Sequence, residues 1–476
     1  MLFRSVLKNN FVLLLMKNLF LLLTSLFFCN FQTPKPTQPP NIIVIMADDL
    51  GYGDLGCFGS KIIKTPHLDK LATEGVRLTQ FYSGNTICAP SRCTFLTGKH
   101  TGNAYIRGNG DIPLRPKDTT ITELLKRAGY QTALFGKWGM GDINTEGSPD
   151  NKGWDRFLGF LHHAEAHYQQ PSLAWYCDPE SPKIKRTNIN KYACDVFTDN
   201  AVAFLKQQNG QNPFFLELAL TIPHAELNSP KETLKLYQDE KGNSIFEEKP
   251  FIGSHYGGQP MPRAAYAAMV SRADDYVGQI MEALKIKGLD KNTLVVFTAD
   301  NGTHIEGGRT MDDVRLMESS GKWRGVKRDM YEGGMRVATI VWGLDLPKGV
   351  ERNGQGAFWD VLPTFAELAN IKKLPQTDGF SLWQYWKTGA ELPQRPLYWE
   401  TFENGYWQAV RQDNWKYIYL KPRNAKERIE LYDLEKDPTE SQNLAIEKPE
   451  KLKELQVLAE KLHSKAEHPN FRRQGE

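Results

Sequence analysis

Continuous apolar runs punctuate the first four fifths of the chain, and amphipathic stretches separate them. Asn41-Ile42-Ile43-Val44-Ile45-Met46 carries no polar side chain after its first residue, as a strand covered on both faces requires. Residues 132–135, 214–221 and 293–298 read as further buried strands. Between them, Pro66 near the start and Leu68, Leu71 and Ala72 on one face predict a helix over 65–78. Helices are also predicted over 120–128 and 264–286. Strands alternating with helices predict an α/β fold, a largely parallel sheet sandwiched by helices. From about Pro393 the texture changes to short alternating runs rich in aromatics, 406–410 and 415–420. These predict a smaller C-terminal antiparallel sheet, closed by a helix over 451–463. The expected division is 41–392 for the large α/β domain and 393–476 for a C-terminal subdomain.

The N-terminus changes the picture of where the protein works. Lys8 and Lys17 flank apolar runs at 11–16 and 19–28, and polar residues follow from Asn30. Lys17 splits the run, so each half falls short of the roughly 20 apolar residues of a membrane span. Residues 1–31 therefore read as an export signal, and 32–40, rich in Pro, Thr and Gln, as a linker. Translation from Met16 would give a shorter signal with Lys17 as its charged start. Cys29 raises a lipoprotein signal as an alternative, although Leu26-Phe27-Phe28 lacks the small residues such a site prefers. The expected location is outside the cytoplasm of a bacterium, periplasmic, cell-surface or secreted, with no stable membrane span. Cys177 and Cys194 are a disulfide candidate in that setting, contributing about 3 kcal/mol if bridged, and two free thiols are the equal alternative. A formal net charge of +3 with dispersed basic residues argues against a nucleic-acid partner.

Three predicted strands end in chemistry. Asp48-Asp49 follow the first, His224 follows 214–221, and Asp300-Asn301 follow 293–298. In open α/β sheets functional groups gather at the carboxyl ends of strands, so these groups are expected to converge. An acidic pair at a strand end, taken alone, reads first as a turn or helix-cap signal; three such strand ends together do not. Asp48, Asp49, Asp300 and Asn301 offer only oxygen, which selects a hard cation such as Ca2+ or Mg2+ over zinc.

The most specific segment is Cys88-Ala89-Pro90-Ser91-Arg92-Cys93-Thr94-Phe95-Leu96-Thr97-Gly98. With it go Phe135-Gly136-Lys137-Trp138-Gly139, Thr221-Ile222-Pro223-His224, and the run from Arg324 through Lys327 to Glu332-Gly333-Gly334. Together they resemble the type I, formylglycine-dependent sulfatases, and the resemblance runs from about Asn41 to the C-terminus. It implies an arylsulfatase-like, alkaline-phosphatase-like fold, and conversion of Cys88 to formylglycine by a maturation enzyme. The hydrated aldehyde would be the nucleophile, because a thiol attacking a sulfate ester leaves an adduct with no easy exit. It also implies Ca2+ held by Asp48, Asp49, Asp300, Asn301 and residue 88. Arg92 would reach back to the modified side chain from one helical turn on. Lys137 and Lys327 would hold sulfuryl oxygens, His224 would protonate the departing alcohol, and Asp300 would take a proton from the nucleophile.

One departure stands out. Many sulfatases carry a histidine directly after G-K-W, proposed to deprotonate the formylglycine hydroxyl during sulfate release, and here the position is Gly139. Among His162, His163 and His167 the expected substitute is His167, from its spacing to Pro171. His304 and Arg309, just past the metal ligands, are candidates for sugar contacts, with a structural role in their loop as the equal alternative. Trp175, Tyr176 and Trp407 read as sugar-stacking or equally as core aromatics; the first reading makes the expected substrate a sulfated mono-, oligo- or polysaccharide. A phosphate mono- or diester hydrolase of the same superfamily is the nearest alternative. A glycan-binding protein that keeps the fold without activity is the alternative of another class.

Overall fold

The computed structural model describes residues 38–476; the expected signal, its Cys29 and most of the linker lie outside the described residues. The main sheet is built in chain order from β1 (Asn41–Asp48), β2 (Val76–Leu78), β3 (Gln131–Lys137), β4 (Arg156–Phe160), β5 (Leu173–Asp178), β6 (Ser181–Asn188), β7 (Phe214–Pro223), β8 (Thr293–Ala299), β9 (Thr339–Gly343) and β10 (Val350–Arg352). Its spatial order is β10-β2-β9-β8-β1-β7-β3-β4-β5-β6. The five central strands β8-β1-β7-β3-β4 are parallel, and antiparallel pairs flank them on both sides. The expected sheet is thus present with a parallel centre and mixed edges.

Two adjacent phenylalanines show how the layers form. Successive strand residues point to opposite faces. Phe214 meets Phe204 of helix Ala193–Gln207 at 5.6 Å, whereas Phe215 meets Phe365 of helix Val361–Leu368 at 6.1 Å. Helix Pro262–Lys287 joins the first layer, and helices Cys88–Thr97 and Ile121–Arg127 join the second. Covered on both faces, β1, β7 and β8 are buried along their whole length, which explains their unbroken apolar runs.

One expectation needs correction, and one open alternative is decided. The helix predicted over 65–78 stops at Thr73, and Val76–Leu78 is β2, paired with Thr339, Ile340 and Val341 of β9. Gly75 sits between the two elements, and a Cβ there would lie 2.4 Å from Val341 O. Cys177 and Cys194 are not bridged. Each is buried in a different element, and the Cys194 thiol lies 3.2 Å from Thr221 Oγ1. Burial pushes the Cys177 thiol up to about 12 and the Cys194 thiol up to about 11.

The C-terminal sheet comprises β11 (Leu397–Thr401), β12 (Gly405–Gln412), β13 (Trp415–Pro422) and β14 (Arg428–Asp433), all antiparallel. Alternation again assigns its faces. Tyr398, Val410, Tyr417 and Leu431 pack with Leu455 and Ala459 of helix Pro449–Leu462. Trp399, Ala409 and Ile418 face the other way, onto Tyr331, Met335 and Trp359 of the larger body. From Pro40 onward the chain forms one compact unit. No helix among the described residues is long and apolar enough to cross a membrane.

Candidate active site

The parallel strands deliver their ends to one place. β1 closes with Asp48, and Asp49 adopts a left-handed backbone (φ 64°), unusual for a residue with a Cβ. Asp300 N–H donates to Ala47 O at 3.1 Å, and Asp49 N–H donates to Asp300 Oδ1 at 3.1 Å. The ends of β1 and β8 are thereby stitched together. Cys88 is the first residue of helix Cys88–Thr97, where Asn109 Oδ1 accepts the Ala89 N–H at 3.1 Å and the helix dipole favours negative charge. Cys88 Sγ lies 3.3 Å from Asp48 Oδ1 and 3.9 Å from Asp49 Oδ1.

Three carboxylates are matched by three cations. Lys137 Nζ donates to Asp48 Oδ2 at 2.6 Å, and Lys327 Nζ donates to Asp49 Oδ2 at 2.7 Å. Arg92 grips Asp300 Oδ2 through Nε at 3.0 Å and Nη2 at 2.8 Å. All six side chains are buried. Burial, opposed by Lys327, raises Asp49, and burial with Asp48 raises Asp300. Burial, then Asp48, pushes the Cys88 thiol well above its usual range, so the encoded cysteine is no ready thiolate.

Ligating oxygens of Asp48, Asp49 and Asp300 converge with Cys88 Sγ within 4.8 Å of one another. Asn301 donates its amide N–H to Asp49 Oδ1 at 2.7 Å, while its Oδ1 is buried without a hydrogen-bond partner. An orphaned buried amide oxygen beside three carboxylates is the donor set a hard divalent cation takes. The residues present therefore fit such an ion.

The histidines divide into distinct environments. His224 Nε2 accepts from Lys327 Nζ at 2.9 Å, and its Nδ1 faces Ala225 O. His167 stacks on His224 with ring centroids 4.8 Å apart, flanked by His255 and Tyr256. Burial, with Lys137 and Lys327, lowers His167 to about 3. The ring packed against Gly139 is instead that of His163, since a Cβ on Gly139 would lie 2.6 Å from His163 Cε1.

His304 and Arg309, expected at the sugar, are buried and engaged within the protein. His304 Nε2 faces Pro223 O at 2.9 Å and its Nδ1 accepts the Glu306 N–H at 3.1 Å. Arg309 donates to Thr303 Oγ1 and Ser319 Oγ and lies over the Tyr266 ring at 3.3 Å. Of the aromatics expected to stack on sugar, Trp175 is sandwiched by Arg186 at 3.8 Å and donates to Glu165, and Trp407 packs against the core of the C-terminal sheet.

Two further buried acidic groups bear on the site, Glu306 by direct contact and Glu217 through its influence on Arg92. Glu306 Oε2 accepts from Lys327 at 3.3 Å, and its Oε1 accepts from Arg328 at 2.6 Å. Burial would raise Glu306, but Lys327, His304 and Arg328 together hold it far below the usual carboxylate range. Glu217, in the middle of β7, is raised to about 7 by burial, with Arg92 opposing. Glu306 was discoverable from its place within Asn301-Gly302-Thr303-His304-Ile305-Glu306, next to the ligands.

Comparisons with known proteins agree with this geometry. Residues 40–371 match the Sulfatase family model, and residues 322–468 match N-sulphoglucosamine sulphohydrolase, C-terminal. The chain is 30% identical over 482 residues to steryl-sulfatase of Mus musculus, covering 82% of this chain and 72% of that one. It is 30% identical over 393 residues to N-acetylgalactosamine-6-sulfatase of Canis lupus familiaris, covering 76% of this chain and 68% of that one. The crystal structure of Ps i-CgsB in complex with k-i-k-neocarrahexaose superposes with TM-score 0.73 at 26% identity, covering 89% of this chain and 92% of that one. With carboxylates, cations and Cys88 gathered at the ends of its parallel strands, the chain belongs to the sulfatase family, has the alkaline-phosphatase-like fold, and is a sulfuric ester hydrolase.

Proposed function

We propose that this sulfatase is exported and removes sulfate from a sulfated carbohydrate, using formylglycine formed from Cys88 and a Ca2+ ion. The observation that supports it most is the charge balance around Cys88. Asp48, Asp49 and Asp300 are offset by Arg92, Lys137 and Lys327, so one added divalent cation leaves the pocket with a net positive charge suited to a sulfate ester anion. Asp48, Asp49, Asp300 and Asn301 would hold the ion, which when bound polarises sulfuryl oxygens and acidifies the nucleophile. The cysteine Sγ stands in here for the oxygens of the hydrated aldehyde, which supplies an attacking hydroxyl and a second hydroxyl for later release of sulfate.

The remaining roles fall to this chain's own side chains. Lys137 and Lys327 stabilise charge on the sulfuryl oxygens. Arg92 fixes Asp300, which takes the proton of the attacking hydroxyl. The proton held between Lys327 Nζ and His224 Nε2 is the one passed to the departing sugar oxygen. His304 and Arg309 serve as positioning residues, His304 by bracing the His224 and Glu306 segments and Arg309 by bracing Thr303 and Ser319. Residues 41–392 carry the catalytic machinery and 393–476 the subdomain that covers it.

Phosphate ester hydrolysis through two metals is disfavoured by Lys327. Asp49, His224 and Glu306 form a second group with metal-ligand spacing, yet Lys327 Nζ already lies within 3.3 Å of all three. An ammonium there takes the place of a second ion. A sulfated carbohydrate is the favoured substrate because one relative is named for N-acetylgalactosamine 6-sulfate and a structural neighbour was solved with a neocarrahexaose. The test is release of inorganic sulfate from sulfated oligosaccharides, run beside phosphate monoesters, with the mass of the peptide containing residue 88. An aldehyde at residue 88 and sulfate release are expected; turnover of phosphate esters alone would overturn the reading.

A further inference from the structure

A histidine ring occupies the space that a side chain at residue 139 would fill. The pairing of β3 with β4 continues past both strands. Trp138 N–H donates to Phe160 O at 3.0 Å, and Gly139 N–H donates to Leu161 O at 3.1 Å. Two residues beyond Leu161 comes His163, and its imidazole lies against Gly139. A Cβ on Gly139 would sit 2.6 Å from His163 Cε1 and 3.3 Å from each ring nitrogen. The left-handed backbone of Gly139 (φ 81°) and its lack of a side chain are therefore matched to a ring supplied by the segment that follows β4.

The ring is also chemically unusual. His163 is half-buried as a residue, but both ring nitrogens are sealed from solvent and neither has a hydrogen-bond partner. Buried imidazoles are normally engaged, as His224 and His304 are. His162, by contrast, faces Asp111 and Asp142. Burial comes first among the influences on His163, and Lys137, Arg92, His167 and Lys327 follow; all hold the ring well below its usual range. Three of these four neighbours are the cations that surround Cys88. A neutral imidazole there has a ring-nitrogen lone pair that no donor among the described residues engages.

We propose that His163 is the base that releases sulfate, acting from the end of β4 in the role played elsewhere by a histidine at the Gly139 position. The proposal rests on the formylglycine reading above. After transfer, residue 88 carries one sulfated oxygen and one free hydroxyl. His163 takes the hydroxyl proton, and the O–H electron pair forms the C=O bond. The bond from carbon to the sulfated oxygen breaks, its pair leaves on sulfate, and the aldehyde is restored for hydration by water. His167, stacked over His224, lies on the leaving-group side and has no part in this step.

The packing is tested on the purified enzyme by thermal unfolding of Gly139→Ala, His163→Ala and the double variant. Gly139→Ala is expected to lower Tm by several degrees, and by clearly less once His163 is Ala, because the steric clash is then gone. Strict additivity would overturn the placement. The chemistry is tested by rapid quench with a sulfated oligosaccharide, following sugar and sulfate separately, with the mass of the residue 88 peptide. His163→Ala, and His163→Gln as a variant that keeps the volume, should release the first equivalent of sugar normally. Sulfate release should then fall roughly 10²–10⁴-fold, and the peptide should retain one sulfuryl group. His167→Ala should show no such retention. Normal sulfate release without sulfuryl retention in both His163 variants overturns the proposal, as does retention in His167→Ala instead. If the unaltered enzyme carries no aldehyde and releases no sulfate, the functional reading itself fails and the proposal with it.

Discussion

Beneath the C-terminal sheet lies a second knot of buried charge, and it is finished differently from the active site. Glu332 accepts from Lys416 at 3.0 Å and from Tyr82 OH at 2.6 Å, and pairs with Arg336 at 3.4 Å and Arg411 at 3.5 Å. Lys416 also meets Glu440 at 2.7 Å, and Glu440 accepts the Glu332 N–H at 2.7 Å. There each carboxylate has a cation within 3.0 Å, Glu440 Oε1 meeting Lys416 as an ion pair without a hydrogen bond, and the network fixes the sheet on the larger body. Around Cys88 the same residue types leave Asn301 Oδ1 and both nitrogens of His163 without partners. Buried charge alone marks a rigid joint. Buried charge ringed by atoms that have neither a hydrogen bond nor an ion pair marks a place where chemistry is completed by something bound.

Substitution should separate the two knots most sharply. Cys88→Ala is expected to abolish sulfate release while thermal unfolding stays close to that of the unaltered enzyme, as calorimetry beside a sulfate assay will read. Lys416→Met should do the reverse. Removing the cation leaves Glu332 and Glu440 buried and under-compensated, a loss of about 3–5 kcal/mol in denaturant unfolding. The fraction that remains folded should keep its KM. A Lys416→Met variant with normal stability and damaged kcat would break the distinction.

Glu217 sharpens the comparison from beneath the active site. Its carboxyl is raised from 4.5 to about 7, chiefly by burial, and its Oε2 has no hydrogen-bond partner. The folded state thus prefers the protonated form. Glu217 costs nothing well below pH 4.5, its penalty grows as pH rises towards 7, and it is constant above. Glu217→Gln should therefore gain up to about 3 kcal/mol relative to the unaltered enzyme between pH 4.5 and pH 8, read from urea unfolding at both. A gain independent of pH would mean the carboxyl is already paired.

Chelation should move stability less than either the Lys416 or the Glu217 substitution. Removing divalent ions should suppress activity and lower Tm, and Ca2+ at 100 times its Kd should restore about 2.7 kcal/mol. The same shift is expected in Lys416→Met, because the two knots share no residues. Full activity and unchanged Tm after exhaustive chelation would sink the assignment of Asp48, Asp49, Asp300 and Asn301 as ligands.

The central strands and the nucleophile segment were legible in the sequence for definite physical reasons. Strands covered on both faces must be apolar throughout, so β1, β7 and β8 announce themselves, and parallel strands bring their carboxyl ends to one edge. Asp48, Asp49, His224, Asp300 and Asn301 are therefore expected together; the structure gathers the three aspartates around Cys88 and sets His224 and Asn301 against Asp49. What only the tertiary structure decided depends on partners distant in the chain. Val76–Leu78 becomes a strand because β9 lies beside it, and Cys177 and Cys194 stay apart because their elements face different neighbours. His163 rather than His167 meets Gly139 because the pairing of β3 with β4 runs two residues past the strands. A sequence displays local periodicity and residue chemistry; which ring fills which gap is set by register and loop closure, and these exist only once the chain has folded.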